Sequence, residues 1–202
     1  MIGQLAEVAR RDVSRETFEK LEAYAALLTE ESRRQNLVSA STLDNLWERH
    51  ILDSAQLVRF EPHAGAAWAD IGSGAGLPGI VVACLVRGPV TLIEPRRLRA
   101  EFLHKACDSL RINASVFSGK AERAEGKYDV VTARAVASVV KVLEISAHLS
   151  TRKTIWALPK GRNAGAELAE AQQAWQGVFH VEQSVTDADS QIVVATELKA
   201  RR

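Results

Sequence analysis

Asp70-Ile71-Gly72-Ser73-Gly74-Ala75-Gly76-Leu77-Pro78-Gly79-Ile80 is the stretch from which the fold of this 202-residue chain is read. Four glycines stand between an apolar run, Ala66 to Ala69, and a second one, Ile80 to Val86. The pattern predicts strand, tight turn and helix, a junction whose backbone a ligand can approach closely. Gly74-Ala75-Gly76-Leu77-Pro78-Gly79 also satisfies the dinucleotide pattern GxGxxG, which in isolation is weak evidence. Asp70 argues against that ligand. It falls at the expected tip of the strand, two residues before the first glycine, where a bound pyrophosphate would meet a like charge. A phosphate-binding P-loop is excluded as well, because the loop lacks the Lys-Ser/Thr ending. The ligand this leaves is cationic and free of phosphate. S-adenosylmethionine, with its ammonium and sulfonium groups, has that character. The plain alternative is a glycine-rich turn that binds nothing.

Outward from the loop, strand-like segments are expected at Ala66–Ile71, Val90–Ile93, Ala114–Phe117, Tyr128–Ala133, Thr154–Leu158, Val178–Val185 and Gln191–Glu197. They alternate with helix-like segments at Leu77–Arg87, Arg96–Leu110, Ser138–Leu149 and Ala164–Trp175, which predicts an α/β protein with a parallel sheet covered on both faces. The last two strands meet across Thr186-Asp187-Ala188-Asp189-Ser190 without a helix, so the sheet should end in an antiparallel hairpin. Before the sheet the chain reads as helices. Ser14 can cap one in which Phe18, Leu21, Tyr24-Ala25 and Leu28 share a face, ending near Arg33-Arg34. Asn36-Leu37-Val38-Ser39 breaks the pattern, and a second amphipathic helix runs from Leu43 to Val58. The expected division is a helical extension over residues 1–63, packed on a nucleotide-binding-like domain over 64–202, the two forming one structural unit.

Composition sets the outer limits. A net charge of +1 argues against an indiscriminate nucleic-acid coat. It leaves room for a local basic face built from Arg33-Arg34, Arg96-Arg97-Arg99, Arg152-Lys153, Lys160-Arg162 or Arg201-Arg202. Taken singly, each of these is better read as a solvated surface. Cys84 and Cys107 are the two cysteines, without CxxC or Cys/His ligand spacing, so no metal site is expected and a reducing cytoplasm is. No signal-peptide pattern opens the chain, and no apolar run is long enough to cross a bilayer.

In a parallel sheet, ligands lie beyond the carboxyl ends of the strands, where the strand order reverses. Asp70–Gly79, Glu94-Pro95, Lys120-Ala121-Glu122 and Arg134 should therefore converge. Glu94, ending an apolar strand, could accept both hydroxyls of a ribose, or serve simply as an acidic residue at a helix start. Ala121 and Glu122 could meet an adenine edge. Arg134, at the end of Val130-Val131-Thr132-Ala133, needs either a structural carboxylate or a polar cleft.

With these pieces assembled, the chain closely resembles the family of glucose-inhibited division protein B, the bacterial small-subunit ribosomal RNA methyltransferase G. The matching pieces are Asn36-Leu37-Val38-Ser39, Arg49-His50-Ile51-Leu52-Asp53-Ser54, the loop Asp70–Gly79, Arg134-Ala135-Val136-Ala137-Ser138 and Leu158-Pro159-Lys160-Gly161. They stand in the family's order over roughly residues 20 to 200. Glu94-Pro95 departs from the Asp-Ser-like pair of many relatives. The resemblance implies a class I S-adenosylmethionine-dependent methyltransferase with a Rossmann-like fold and a seven-stranded, mostly parallel sheet. It further implies methylation of a guanine N7 in 16S ribosomal RNA, on the small subunit or an assembly intermediate; a monomer is the default expectation, on which the sequence is silent. Cofactor contacts are expected from Asp70, Gly72, Gly74, Leu77, Glu94, Ala121, Glu122 and Arg134. Substrate contacts are expected from Asn36, Arg49, His50, Asp53 and Lys160, with Arg134 and Lys160 as positioning residues and no catalytic residue certain.

Guanine N7 already presents an in-plane lone pair, so its methylation requires no general base, and the sequence offers no Ser/His/Asp array or paired carboxylates. Positioning alone can supply up to about 7–11 kcal/mol. A pocket role for Arg49, His50 and Asp53 competes with an internal pair at i, i+4 spacing, and with His50 as a packed structural histidine. Rival functions are a methyltransferase of another RNA or of a small molecule, a nicotinamide oxidoreductase using the literal GxGxxG, and an RNA-binding module without cofactor.

Overall fold

The computed structural model describes residues 1–39, 43 and 45–201. Seven strands form one sheet in the order β3-β2-β1-β4-β5-β7-β6. They are β1 (Trp68–Ile71), β2 (Val90–Ile93), β3 (Ala114–Phe117), β4 (Val130–Thr132), β5 (Ile155–Lys160), β6 (Trp175–Gln183) and β7 (Gln191–Ala200). The first five are parallel, and β7 inserts antiparallel between β5 and β6. The chain builds outward from β1 through β2 to β3, then returns to pair β4 with the other side of β1. The strand order therefore reverses between β1 and β4, and the crevice at their carboxyl ends is the position where ligands bind in such sheets.

Side chains alternate between two cores with the period of a strand. Trp68, Val90, Leu92, Val130 and Ala157 face one core. Ala69, Ile71, Ile93, Val131, Trp156 and Leu158 face the other. The first core is closed by α4 (Gly79–Leu85), α5 (Arg97–Leu110) and the N-terminal helices α1 (Ile2–Ala9), α2 (Arg15–Ser32) and α3 (47–60). The second is closed by α6 (Val139–Ser146) and α7 (Ala164–Ala174). As read from the sequence, Ser14 caps α2, its Oγ accepting from the Thr17 amide at 3.1 Å. Leu21, Tyr24 and Leu28 are buried at helical spacing. Arg11 ties the N-terminal layer down by donating to the Val58 and Leu85 carbonyls and to Glu61.

Four expectations need correction. Helix α1, with Leu5 and Ala9 buried, carries too short a periodic pattern to be picked out. The second N-terminal helix is not a uniform α-helix. Residues Trp47–Leu52 are wound as a π-helix, Asp53–Ala55 as α and Gln56–Phe60 as 3₁₀. The part of that expectation at Asp44 lies outside the described residues, as does Arg202. Strands β1 and β4 are shorter than expected because side chains take over the bonding at their entry: Asp129 accepts from the Ala67 amide, and Thr154 donates to the Tyr128 carbonyl. Strand β6 begins at Trp175, directly after α7, and shifts register between Gln176 and Val178. Gly177 stands at that bulge, which hid the start of the strand from an alternation reading.

Two glycines separate packing from propensity. A Cβ at Gly88 would run into the Ala66 carbonyl, whereas at Gly165, on exposed α7, it would meet nothing within 4 Å. In urea denaturation Gly88→Ala should lose about 1–3 kcal/mol of stability. Gly165→Ala should gain about 0.5–1 kcal/mol.

Candidate active site

The glycine loop is folded over the end of β2. The amides of Gly72 and Ser73 both donate to the Ile93 carbonyl, at 2.8 and 3.1 Å. Ser73 Oγ donates back to the Asp70 carbonyl, and the Gly76 amide donates to that of Ser73. From α2, the fully buried Tyr24 hydroxyl donates to the Ala75 carbonyl at 2.8 Å. The sequence reading counted Tyr24 as core and missed its second role as a prop for the loop. Its helical spacing gave no sign of that role.

The glycines serve different ends. At Gly79 a Cβ would collide with Leu92 and lie 2.6 Å from Asp70 Oδ2, and at Gly76 it would lie 2.5 Å from Ile80. At Gly72, φ +66°, Val136 methyls already occupy the approach. Gly74, φ +56°, is the one with room, its nearest neighbours lying 3.6 and 3.7 Å away. The close approach predicted for a ligand is thus taken at three positions by the protein itself and is least crowded at Gly74, where Arg99 and the Gly72 carbonyl stand at ordinary contact distance.

Asp70 is buried on the α4 face of β1. Its Oδ2 accepts from the Gly79 amide at 3.1 Å, and Oδ1 has no partner among the described residues. Burial pushes its carboxyl up to about 7, only partly offset by the Gly79 amide and the Arg134 charge. Thr132 stands beside it in register on β4, with Oγ1 likewise buried and unpartnered. Glu94, at the end of β2, accepts from the Gly74 amide through Oε2 and from the Arg96 amide through Oε1, both at 2.8 Å. After β3, Ala121 is buried in a 3₁₀ turn and Glu122 points to solvent. Leu77 is buried beside the loop.

Across the crevice, Arg134 is clamped by two residues of α3. Its Nη1 donates to Asp53 Oδ2 at 3.2 Å, and its Nη2 to His50 Nδ1 at 3.0 Å. Both alternatives left open for Arg134 are realised together, since it pairs with a carboxylate and also lines a cleft of about 520 Å³. Asp53 does not pair with Arg49 as an α-helical spacing would suggest. The π-winding of Trp47–Leu52 replaces that geometry, and Arg49 is exposed. His50 accepts from Arg134 at Nδ1, which puts its proton on Nε2 and makes it a neutral imidazole. Burial, Arg134 and Arg49 lower its pKa to about 4.

Gln56 completes the cluster and was not foreseen. It is fully buried, and its Nε2 lies 2.8 Å from Asp53 Oδ1 and 3.0 Å from Ser184 Oγ, while its Oε1 accepts from the Val185 amide. This joins α3 to the turn of the last hairpin. Lys160, on the far wall of the same cleft, donates to Glu167 at 2.9 Å and to the Ala137 carbonyl at 2.6 Å. The structure thus gathers Asp53, Arg134 and Lys160 around one cleft, while His50, bonded to Arg134, lines a neighbouring hollow with Arg49 and Asp53. Asn36 is exposed in the segment after α2 and shares no hydrogen bond with them among the described residues.

The residues present fit a cationic methyl donor. The orphaned Asp70 Oδ1 offers a buried acceptor, Gly74 is the least crowded glycine of the loop, and the Glu94 carboxylate stands at the tip of β2. Among the described residues there is no metal-binding group of three or more His, Cys, Asp or Glu side chains. No helix is long and apolar enough to cross a membrane.

The sheet order and the crevice define the class I fold of S-adenosylmethionine-dependent methyltransferases. Two solved structures share it: a SAM-dependent methyltransferase from Aquifex aeolicus (TM-score 0.60, 15% identity, 82% of this chain and 96% of that one), and magnesium protoporphyrin IX methyltransferase from Synechocystis PCC 6803 with bound SAH (TM-score 0.60, 17% identity, 84% and 94%). The family model for rRNA small subunit methyltransferase G matches residues 17–193. Ribosomal RNA small subunit methyltransferase G of Zymomonas mobilis is 43% identical over 199 residues, covering 94% of this chain and 90% of that protein. The protein of that name from Novosphingobium aromaticivorans is 45% identical over 181 residues, covering 87% and 79%. The chain belongs to the rRNA small subunit methyltransferase G family.

Two pH tests follow from the buried groups. Between pH 3.8 and about 7 the folded protein holds the Asp70 proton that the unfolded chain has lost, so this group's contribution to stability falls as pH rises. Asp70→Asn should therefore become more stable than the parent as pH rises through that window in thermal melts, while binding the donor more weakly. The His50 imidazole should remain neutral in NMR titration at pH 6, with its transition near 4.

Proposed function

We propose that this enzyme transfers the methyl group of S-adenosylmethionine to N7 of a guanine in 16S ribosomal RNA. The observation that carries the reading is Arg134, held by Asp53 and His50 and lining one cleft with Lys160 and with Val136, whose side chain lies against Gly72 of the glycine loop. Family membership supports the reaction and its RNA target. The bound donor supplies an electrophilic methyl on a sulfonium.

Asp70, Gly72, Gly74, Leu77, Glu94, Ala121, Glu122 and Arg134 are assigned to donor binding. Glu94 retains free lone pairs for ribose hydroxyls beyond its two amide contacts. Asn36, Arg49, His50, Asp53 and Lys160 are assigned to the RNA side. The purine has to leave its stack to enter the cleft. No residue need remove a proton from N7, and none here is set up to do so: His50 Nδ1, its acceptor atom, is already engaged by Arg134. The role left to Arg134 and Lys160 is orientation, each fixed by a carboxylate so that its remaining donors keep their direction. The division into a helical extension, 1–63, and a donor-binding domain, 64–202, belongs to the same proposal. So does action as a metal-free monomer in the cytoplasm, which the two free cysteines support.

The test supplies labelled donor to small ribosomal subunits, naked rRNA and small metabolites, then maps the product by cleavage at 7-methylguanine and primer extension. Label in one guanine of the rRNA is the expected outcome, and label confined to metabolites overturns it. Lys160→Ala should lower kcat by about 10²-fold with S-adenosylhomocysteine affinity unchanged. Asp70→Ala should lower that affinity.

A further inference from the structure

Five basic clusters stand in the sequence, and the fold sorts them. Arg152-Lys153 precede β5 and Arg201 follows the antiparallel β7, so both lie at the end of the sheet opposite the crevice. Lys160 and Arg162 lie at the crevice end, but Glu167 and Asp189 pair with them. The remaining two clusters merge into one patch. Gln35 Nε2 donates to the Leu98 carbonyl at 3.1 Å, which brings Arg33 and Arg34, at the end of α2, against Arg96, Arg97 and Arg99 at the start of α5. Arg33, Arg96 and Arg99 form no ion pair among the described residues, and Arg34 reaches Glu31 at only 3.7 Å. The patch adjoins the donor loop: the Arg96 amide is bonded to Glu94, and Arg99 Nη1 lies 3.6 Å from the Cβ position of Gly74.

The placement opposes helix stability. The first turn of α5 contains no acidic residue, Arg96 occupies the cap position without a side-chain cap, and three arginines face the positive end of the helix dipole. Arg97 precedes Glu101 at i, i+4, the weaker orientation for such a pair. Leu98, between them, is 56% exposed. An arrangement that works against its own helix, with Arg33, Arg96 and Arg99 outside any ion pair among the described residues and at the crevice end of the sheet, matches a polyanion held from outside.

We propose that the surface formed by Arg33, Arg34, Arg96, Arg97 and Arg99 docks the phosphate backbone of the substrate RNA beside the target guanine. This rests on the RNA-methyltransferase reading above and adds to it where the strand is gripped. None of these residues is assigned to the donor or the cleft.

The experiment measures binding of 16S rRNA and of small subunits, with S-adenosylhomocysteine present, across a salt series. The triple variant Arg33→Ala, Arg96→Ala, Arg97→Ala should weaken binding by about tenfold or more near 0.1 M salt and reduce the slope of log affinity against log salt by about 2 to 3. Its S-adenosylhomocysteine affinity, measured by calorimetry, should equal that of the parent. Arg96→Ser, which supplies the missing cap, should raise Tm by about 2–4 °C yet weaken RNA binding, a combination that a structural role for Arg96 would not give. Unchanged affinity and slope in the triple variant overturn the proposal. So does weaker binding to subunits with an unchanged slope, which would mean a protein contact. If the parent methylates no rRNA, the function reading fails first, and the two failures are told apart by that control.

Discussion

The site hangs on two amides, those of Gly72 and Ser73, converging on the carbonyl of Ile93. Strand β1 is buried on both faces and has to end without leaving polar backbone stranded in the core. Handing its last donors to the neighbouring strand turns the chain sharply, opens the left-handed conformation at Gly72 and Gly74, and lays the loop across the tips of β1 and β2. Tyr24 holds the outer side of the turn from α2. The glycine loop is therefore tied by hydrogen bonds both to the sheet and to the N-terminal helix that flank it.

Around that loop and the adjoining cleft the protein handles its enclosed carboxylates, two buried and one half-buried, in three ways. Asp70 keeps one oxygen unmet among the described residues, and burial, helped by the Glu94 charge, raises its pKa toward neutrality. Glu94 is satisfied by two amides and stays in place at the edge of the loop. Asp53 is shared between Arg134 on one oxygen and Gln56 and Thr186 on the other. An unmet oxygen in the core costs stability, on the order of 1–3 kcal/mol, and it is retained where a cationic ligand can meet it. The Asp53 network has another effect. It joins α3, the segment after β4 and the last hairpin, three parts of the chain remote in sequence, through one carboxylate.

How much of this is legible without coordinates varies by element. The glycine loop, the alternating strands and the final hairpin are local patterns, and they stand where the residues place them. Arg134, His50 and Asp53 were legible as candidates, but their mutual contact was not, because it depends on packing α3 over the sheet. The same helix defeats a 3.6-residue reading: its π-turn shifts Arg49 away from Asp53 and leaves the aspartate to Arg134. Gln56 is invisible as a functional residue, since a lone glutamine in an apolar helix face carries no pattern. The basic clusters show the opposite case. All five are plain in the sequence and equivalent there, and strand direction together with the acidic neighbours separates them.

Residue order alone settles what is short-range in this protein: a carboxylate two positions before a glycine turn, apolar runs with period two and a hairpin at the end. From these come the fold class and a cationic rather than phosphate-bearing ligand. What long-range contact adds is the choice among equivalent possibilities. It assigns Val136 to Gly72 and leaves Gly74 the least crowded, gives Arg134 a carboxylate and an imidazole at once, and pairs both cations of the Lys160-Arg162 cluster while leaving Arg33, Arg96 and Arg99 outside any ion pair among the described residues. These outcomes depend on which side chains come within a few ångströms across 20 to 130 residues of chain, a distance over which hydrogen bonds and ion pairs obey geometry and local sequence pattern carries no information.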